Sequence, residues 1–191
     1  MAAGTKRGVR DGFNIYPMPV AIVGTVTDGR PNFMTVAWVV KLQGDPPLVG
    51  VVIGRGQHTA KGIQQTGEFS VSFPSREQAA LADYCGLYSG RRENKAARID
   101  IFRGDLESAP MVGQCPLTME CRLRQTVELG GFLFIGEVVN VFAEEAVLSE
   151  GSVDPRKLQP IVFTQPDKMY WALGDPVGQA WKIGEVFHQE D

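Results

Sequence analysis

Pro31 to Gly62, PNFMTVAWVVKLQGDPPLVGVVIGRGQHTAKG, is the stretch whose reading decides the fold. Two β-branched, apolar runs, Thr35–Val40 (TVAWVV) and Leu48–Ile53 (LVGVVI), flank Gly44-Asp45-Pro46-Pro47. Proline fixes φ and carries no N–H, so this tetrad predicts a turn between two strands. The second run ends in Gly54-Arg55-Gly56-Gln57-His58-Thr59, ahead of Ala60-Lys61-Gly62-Ile63. Glycines let the backbone approach a ligand closely, and the unpaired N–H groups of a helix start favour an anion. A polar loop, a strand tryptophan and an anion-ready helix start within ~30 residues point to a flat, phosphorylated ligand.

Outward from that stretch the pattern stays strand-rich. Val20–Thr27 (VAIVGTVT) predicts a strand, and Asp28-Gly29-Arg30-Pro31 a hairpin turn with the favoured Asp-Gly pair at its centre. Thr59–Thr66 predicts a short helix, and Glu68–Phe73 (EFSVSF) alternates as a half-buried strand. Ser75-Arg76-Glu77-Gln78 is a capping box that predicts a helix through about Asp83. Arg91–Arg98 is a further helical piece inside the long connection from Ser89 to Pro110. Leu117–Arg124 alternates at period two, and Gly130-Gly131 turns the chain into Phe132–Phe142, where Gly136 marks a bulge. Pro155–Leu158 reads as a turn or short helix before Ile161–Phe163. Many short strands, glycine- and proline-rich turns and a few short helices predict a mainly β fold, a β-barrel with appended helices. It is expected to be one domain over residues 1–191, with 1–15 as a flexible or partner-embraced arm.

Composition excludes several function classes. Net charge is −3 and the pI about 5.5, so there is no basic footprint for nucleic acid. No run approaches the ~18 apolar residues of a membrane span, and the opening MAAGTKRGVRDG lacks an apolar signal core. Three cysteines outside any CxxC argue against a disulfide framework or zinc site and fit a reducing cytoplasm. Two histidines exclude a multi-histidine metal centre. There is no Gly-x-Ser-x-Gly elbow to support a hydrolase. Gly54-x-Gly56-x-x-Thr59 imitates a dinucleotide fingerprint, but its third position is Thr and the chain beyond Pro74 does not alternate strands with long helices.

Three polar residues stand out, each with a plainer alternative. Thr59 can donate to phosphate oxygens at the helix start, or serve as an N-cap. Lys95 lies in the charged run RRENKAAR, whose ordinary fate is a solvated helix face. His58 reads as a neutral loop histidine whose place beside Thr59 leaves a phosphate role open.

An ordered set of motifs gives these residues a context. Asn32-x-Met34-Thr35-x-x-Trp38, Asp45-Pro46-Pro47, His58-Thr59-Ala60-Lys61-Gly62-Ile63 and Gly67–Phe73 resemble the flavin reductase-like, FMN-binding split barrels. The resemblance continues through Asp83-Tyr84-Cys85-Gly86, Ser89-Gly90-Arg91, Lys95 and Phe134–Val138, and spans about Tyr16 to Gly184. It implies bound FMN, with Thr59 and Lys95 at the phosphate. Asn32 and Trp38 are then assigned to the isoalloxazine, as an amide for the pyrimidine edge and an aromatic beside the ring. Met34, Thr35 and Ile53 complete the expected cofactor set with His58, and Tyr170 or Trp171 is a further aromatic for which core packing is the alternative. The sequence departs from several relatives in lacking a His before Phe132, where Leu129-Gly130-Gly131 stands. Cys85 is expected to be a buried structural thiol. The resemblance also implies a homodimer and, as partners, either redox proteins or NAD(P)H. A flavoredoxin-like electron carrier, an NAD(P)H-dependent flavin or ferric reductase, and a split barrel that has lost redox function are the three readings.

Overall fold

The computed structural model describes residues 4–9 and 13–188. The chain runs through β1 (Met18–Pro19), β2 (Ala21–Thr27), β3 (Arg30–Val36), β4 (Val39–Gly44), β5 (Pro47–Ile53), α1 (His58–Thr66) and β6 (Glu68–Phe73). A 3-10 turn, Arg76–Gln78, leads into α2 (Ala79–Leu87), and another, Lys95–Arg98, precedes β7 (Ile101–Phe102) and β8 (Met111–Val112). The long strands β9 (Leu117–Glu128) and β10 (Phe132–Ala143) follow. Then come the hairpin β11 (Leu148–Ser149) and β12 (Ser152–Val153), α3 (Pro155–Leu158), β13 (Ile161–Thr164) and β14 (Met169–Ala172).

Seven strands pair antiparallel in the order β3-β2-β6-β9-β10-β5-β4. The edge strands β3 and β4 are consecutive in the chain, with Ala37 and Trp38 alone between them. Neighbouring strands lie ~4.8 Å apart, so a flat sheet of this size would hold its edges roughly 29 Å apart. The steps from Val36 to Val39 reach roughly 11 Å at most. The sheet therefore curls into a barrel, and Trp38 marks the seam, its carbonyl accepting from the Val52 N–H at 2.9 Å.

The barrel is filled by Val23, Val51, Ile53, Phe69, Val71 and Phe134, and α1 closes over it with Ala60 and Ile63. Ile22 of β2, which points outward, and Val20 just ahead of the strand join Phe33, Ala82, Cys85, Val112 and Ile161 in a second core beneath α2. Burial on both faces accounts for the apolar run at the start of β2. Helix α1 lies so close to β2 that Thr27 Oγ1 and the Val26 carbonyl occupy the space a Cβ on Gly62 would need. Glycine there is a packing requirement.

Local signals translate directly. Asp28 and Gly29 both have positive φ, 51° and 76°, as a two-residue hairpin turn of this hand demands. The pairing of β9 with β10 shifts register between Ile135 and Gly136, which is the expected bulge. The Ser75 capping box forms, but it opens a 3-10 turn, and the helix beyond it runs to Leu87. Arg91–Arg98 differs from expectation, since winding is confined to Lys95–Arg98. Ahead of it, the Arg92 and Glu93 N–H groups both donate to the Ser89 carbonyl, giving a turn instead of a helix. The sheet order also removes the dinucleotide fold: Gly54-x-Gly56 leads into α1, but β5 and the strand after α1 belong to an antiparallel sheet without a βαβ crossover.

The long connection before β9 is held by one buried carboxylate. Glu120 accepts from the Asp105 N–H at 3.0 Å, the Leu106 N–H at 2.9 Å and Asn140 Nδ2 at 2.5 Å. A buried acceptor paired in this way fixes the polar turn at Asp105, and the buried Ile99, Leu106 and Ala109 anchor the rest of the connection. A small sheet, β1-β13-β14, flanks the barrel. Residues 171–188 are exposed throughout, Val177, Trp181, Val186 and Phe187 included. Of the expected arm, residues 1–3 and 10–12 lie outside the described residues, and 4–9 carry no regular structure. Among the described residues no helix is long and apolar enough to cross a membrane, and no cluster of His, Cys, Asp or Glu could hold a metal ion.

Candidate functional site

Where β3, the start of α1 and the end of α2 converge, they enclose a cavity of about 260 Å³. Asn32 and Met34 come from β3, Gln57, His58 and Thr59 from the helix start, and Cys85–Gly90 and Lys95 from the opposite wall. A more open hollow of about 700 Å³ shares Asn32, His58, Gly90 and Lys95, and adds Asp28, Arg30, Lys61, Arg91 and Arg92. A larger hollow, about 1070 Å³, lies below the C-terminal segment, where Arg156 and Asp154 already neutralise each other at 3.3 Å. The unmet electrostatic demand is in the first two.

Lys95 makes that demand. It is only 4% exposed, and its Nζ donates to the carbonyls of Cys85 at 2.9 Å and Tyr88 at 2.6 Å. Those carbonyls are at the negative end of α2, a favourable seat for a cation. Among the described residues no carboxylate pairs with it. Burial lowers its pKa, and the nearby Cys85 thiol acts in the opposite direction. An ammonium held out of water on two carbonyl dipoles, with a third N–H to spare, lacks an anion. The solvated-face alternative for Lys95 does not hold.

The helix start facing it lacks the same thing. Gln57 occupies the N-cap position of α1 and makes no side-chain cap bond, and the first turn holds no acidic residue. Its orphan N–H groups and the positive end of the helix are therefore uncompensated by the chain. Thr59 is not the cap. It is 2% exposed, and its Oγ accepts from Asn32 Nδ2 at 2.8 Å. Asn32, 6% exposed, turns its Oδ1 toward Gly90, where a Cβ would have no room. The amide thus stands at the Thr59–Lys95 end of the cavity. His58 has a buried Nδ1 with no hydrogen-bond partner among the described residues. Burial lowers its pKa; Asp28 raises it, and Arg91, Lys61 and Lys95 lower it further.

The remaining sequence-derived residues are distributed more widely. Thr35 donates to the Ala82 carbonyl and so ties α2 to β3. Ile53 is buried in the barrel core. Trp38, 58% exposed, lines neither hollow and projects from the seam. Tyr170 donates to Asp83 at 3.1 Å, and the exposed Trp171 to Thr164 at 2.7 Å. Cys85 is buried, and burial pushes its thiol up to about 11, so it is inert. At Leu129–Leu133 the polar group is Arg55, paired with Glu128 at 2.9 Å and stacked 5.0 Å over Phe132. The sequence reading did not find Arg55 or the wall residues Leu87 and Tyr88, although the flanking patterns Asp83-Tyr84-Cys85-Gly86 and Ser89-Gly90-Arg91 bracketed them.

The donors gathered here, a buried ammonium with an N–H to spare and an uncapped helix start, fit a phosphate group. Known proteins agree on the larger ligand class. The fold is similar to a flavoredoxin from Methanosarcina acetivorans, with 36% identity and a TM-score of 0.93 over 97% of this chain and 100% of that one. It is also similar to a flavoredoxin of Desulfovibrio vulgaris (Miyazaki F), with 33% identity and a TM-score of 0.87 over 94% of this chain and 100% of that one. The NADH:riboflavin 5′-phosphate oxidoreductase of Streptomyces pristinaespiralis is 30% identical over 137 residues, 69% of this chain and 74% of that protein. The model of the flavin reductase like domain matches residues 13–170, from ahead of β1 into β14, and the chain belongs to that split-barrel family.

Proposed function

We propose that the chain binds FMN, with the phosphate between the first turn of α1 and Lys95, and works as a flavoredoxin-like carrier that exchanges electrons with protein partners. The observation that carries the reading is the buried Lys95 ammonium, without a carboxylate, facing an uncapped helix start. The likeness to two flavoredoxins supports the carrier role, and the riboflavin 5′-phosphate in the name of the Streptomyces relative supports FMN. Bound flavin would supply the redox chemistry, while the protein supplies binding, orientation and access. Thr59, Lys95, Asn32 and His58 hold the phosphate end in this reading. Met34 lines the same cavity, and Thr35, Ile53 and Trp38 are assigned to the ring by family resemblance.

Thr59→Val and Lys95→Met test the phosphate assignment. Each removes a polar contact to a charged group, roughly 1.5–3 kcal/mol, which corresponds to about ten- to hundred-fold in Kd. Fluorescence titration with FMN reads the change, and far-UV circular dichroism checks that the end of α2 survives the loss of Lys95. Unchanged affinity in both folded variants would remove the phosphate from this site.

A second reading, an NAD(P)H-dependent reductase, is favoured by the name of the Streptomyces relative and by the cations Arg30, Arg91 and Arg92 beside the cavity. The carrier reading expects anaerobic NADH or NADPH to bleach the bound flavin more slowly than about 1 s⁻¹, the low end of ordinary turnover. Faster bleaching in stopped flow would assign the protein to the reductases.

The working unit is a homodimer. Val177, Trp181, Val186 and Phe187 are exposed on a segment that has no core of its own, and such apolar surface is normally covered. Two-fold dimers are the commonest way to cover it. Light scattering should give about twice the 20.9 kDa of one chain. A single-chain mass with FMN bound would contradict this.

A further inference from the structure

We infer that two copies of the chain exchange their C-terminal segments, each seating Trp181 and Phe187 in an apolar groove on the barrel of the other. The inference rests on the homodimer reading above and names the two surfaces that meet. The groove, about 420 Å³, lies where the barrel core reaches the surface beside β4, β5 and β10. Phe73, Met119 and Val138, which pack against that core, line it together with the buried Val39 and Val49. Val40 and Val141 at its rim are 52% and 55% exposed, and Lys41 is the one charged residue among those described that line it. An apolar cavity of about 150 Å³ takes one benzene, so this groove has room for about two aromatic side chains.

The C-terminal segment carries two such side chains. Trp181 and Phe187 are 97% and 88% exposed and belong to neither core. The segment nevertheless holds a defined shape. The Lys182 and Ile183 N–H groups both donate to the Gln179 carbonyl, at 3.2 and 2.9 Å, and Ile183–Phe187 winds as a 3-10 turn. Ile183 packs so closely on Gly178 that a Cβ there would have no room. Trp181 is held in the left-handed region at φ 62°, a conformation that a bulky residue keeps only where a contact compensates for it. Neither core of its own chain provides that contact.

The chain does not fill its own groove. No residue of 171–188 lines it, and Ala172–Pro176 line the hollow beside Asp154 and Arg156 instead. A second copy presents the same groove and the same segment, so one two-fold axis covers both pairs at once. An aromatic side chain buries roughly 150–250 Å², so the four rings exchanged bury roughly 600–1,000 Å². The groove walls beneath them contribute a similar area, which brings the total to the roughly 1,200–2,000 Å² of stable interfaces.

Two variants of the full chain test this, one of the segment (Trp181→Ala with Phe187→Ala) and one of the groove (Val40→Glu with Val141→Glu). All four residues are exposed, and thermal melting by circular dichroism checks that both variants fold. Light scattering over a dilution series should show the dimer dissociation constant raised at least about thirty-fold in each. An equal mixture of the two should form mixed dimers more tightly than either variant pairs with itself, because one intact segment then meets one intact groove. A native dimer that neither variant weakens overturns the inference and leaves the homodimer standing. Weakening in only one variant, or no recovery on mixing, overturns it in favour of segment-on-segment or groove-on-groove packing. A native protein of single-chain mass overturns both the inference and the dimer.

Discussion

Ala37 and Trp38 have to carry the chain from one edge of a seven-stranded sheet to the other, and the rest of the molecule depends on that short link. In a flat sheet of the same order, β3 and β5 would be separated by roughly 24 Å. Closure brings them together, and Asn32 on β3 then donates to Thr59 at the helix that follows β5, at 2.8 Å. The close seat of α1 on β2 at Gly62 fixes the direction of the helix start. The site is thus a product of barrel closure, assembled across the seam from residues that no local structure would bring together.

What occupies the seam is polar and electrostatically incomplete. Lys95 turns inward to cap α2 through Cys85 and Tyr88, and Thr35 ties the same helix to β3. The wall from Gly86 to Gly90 is thereby held from both ends. The same lysine brings its charge out of water opposite an uncapped helix start. One side chain therefore shapes the cavity and sets its preference for an anion.

Features that depend on near neighbours could be read from the sequence. The Asp28-Gly29 turn, the Ser75 capping box, the Gly136 bulge and the strand after Asp45-Pro46 are each specified within a few residues, whereas the single strand expected over 35–40 is broken at Ala37-Trp38, where the chain passes from β3 to β4 (Val39–Gly44). The candidate site was legible in part, because Thr59 sits on a local helix start and Lys95 falls in a segment that resembles the family pattern. Its detail depends on distant contacts. Nothing in RRENKAAR shows that its lysine is drawn to the end of α2, a contact that replaces the helix expected over 91–98 with a turn and a 3-10 segment. Nor could Asn32 be placed beside Thr59, or Trp38 on an exposed seam, before the two edges of the sheet were known to meet. Trp38 reads as core or ligand from its strand context; closure leaves it facing outward.

The central claim is that this seam binds a flavin through its phosphate. Parallel titration of the flavin-stripped protein with FMN and with riboflavin, which lacks the phosphate, measures that contribution in one comparison. With the buried ammonium and the helix start both engaged, FMN should bind at least about a hundred-fold more tightly than riboflavin. Equal affinities would mean that the phosphate lies elsewhere and would contradict the account.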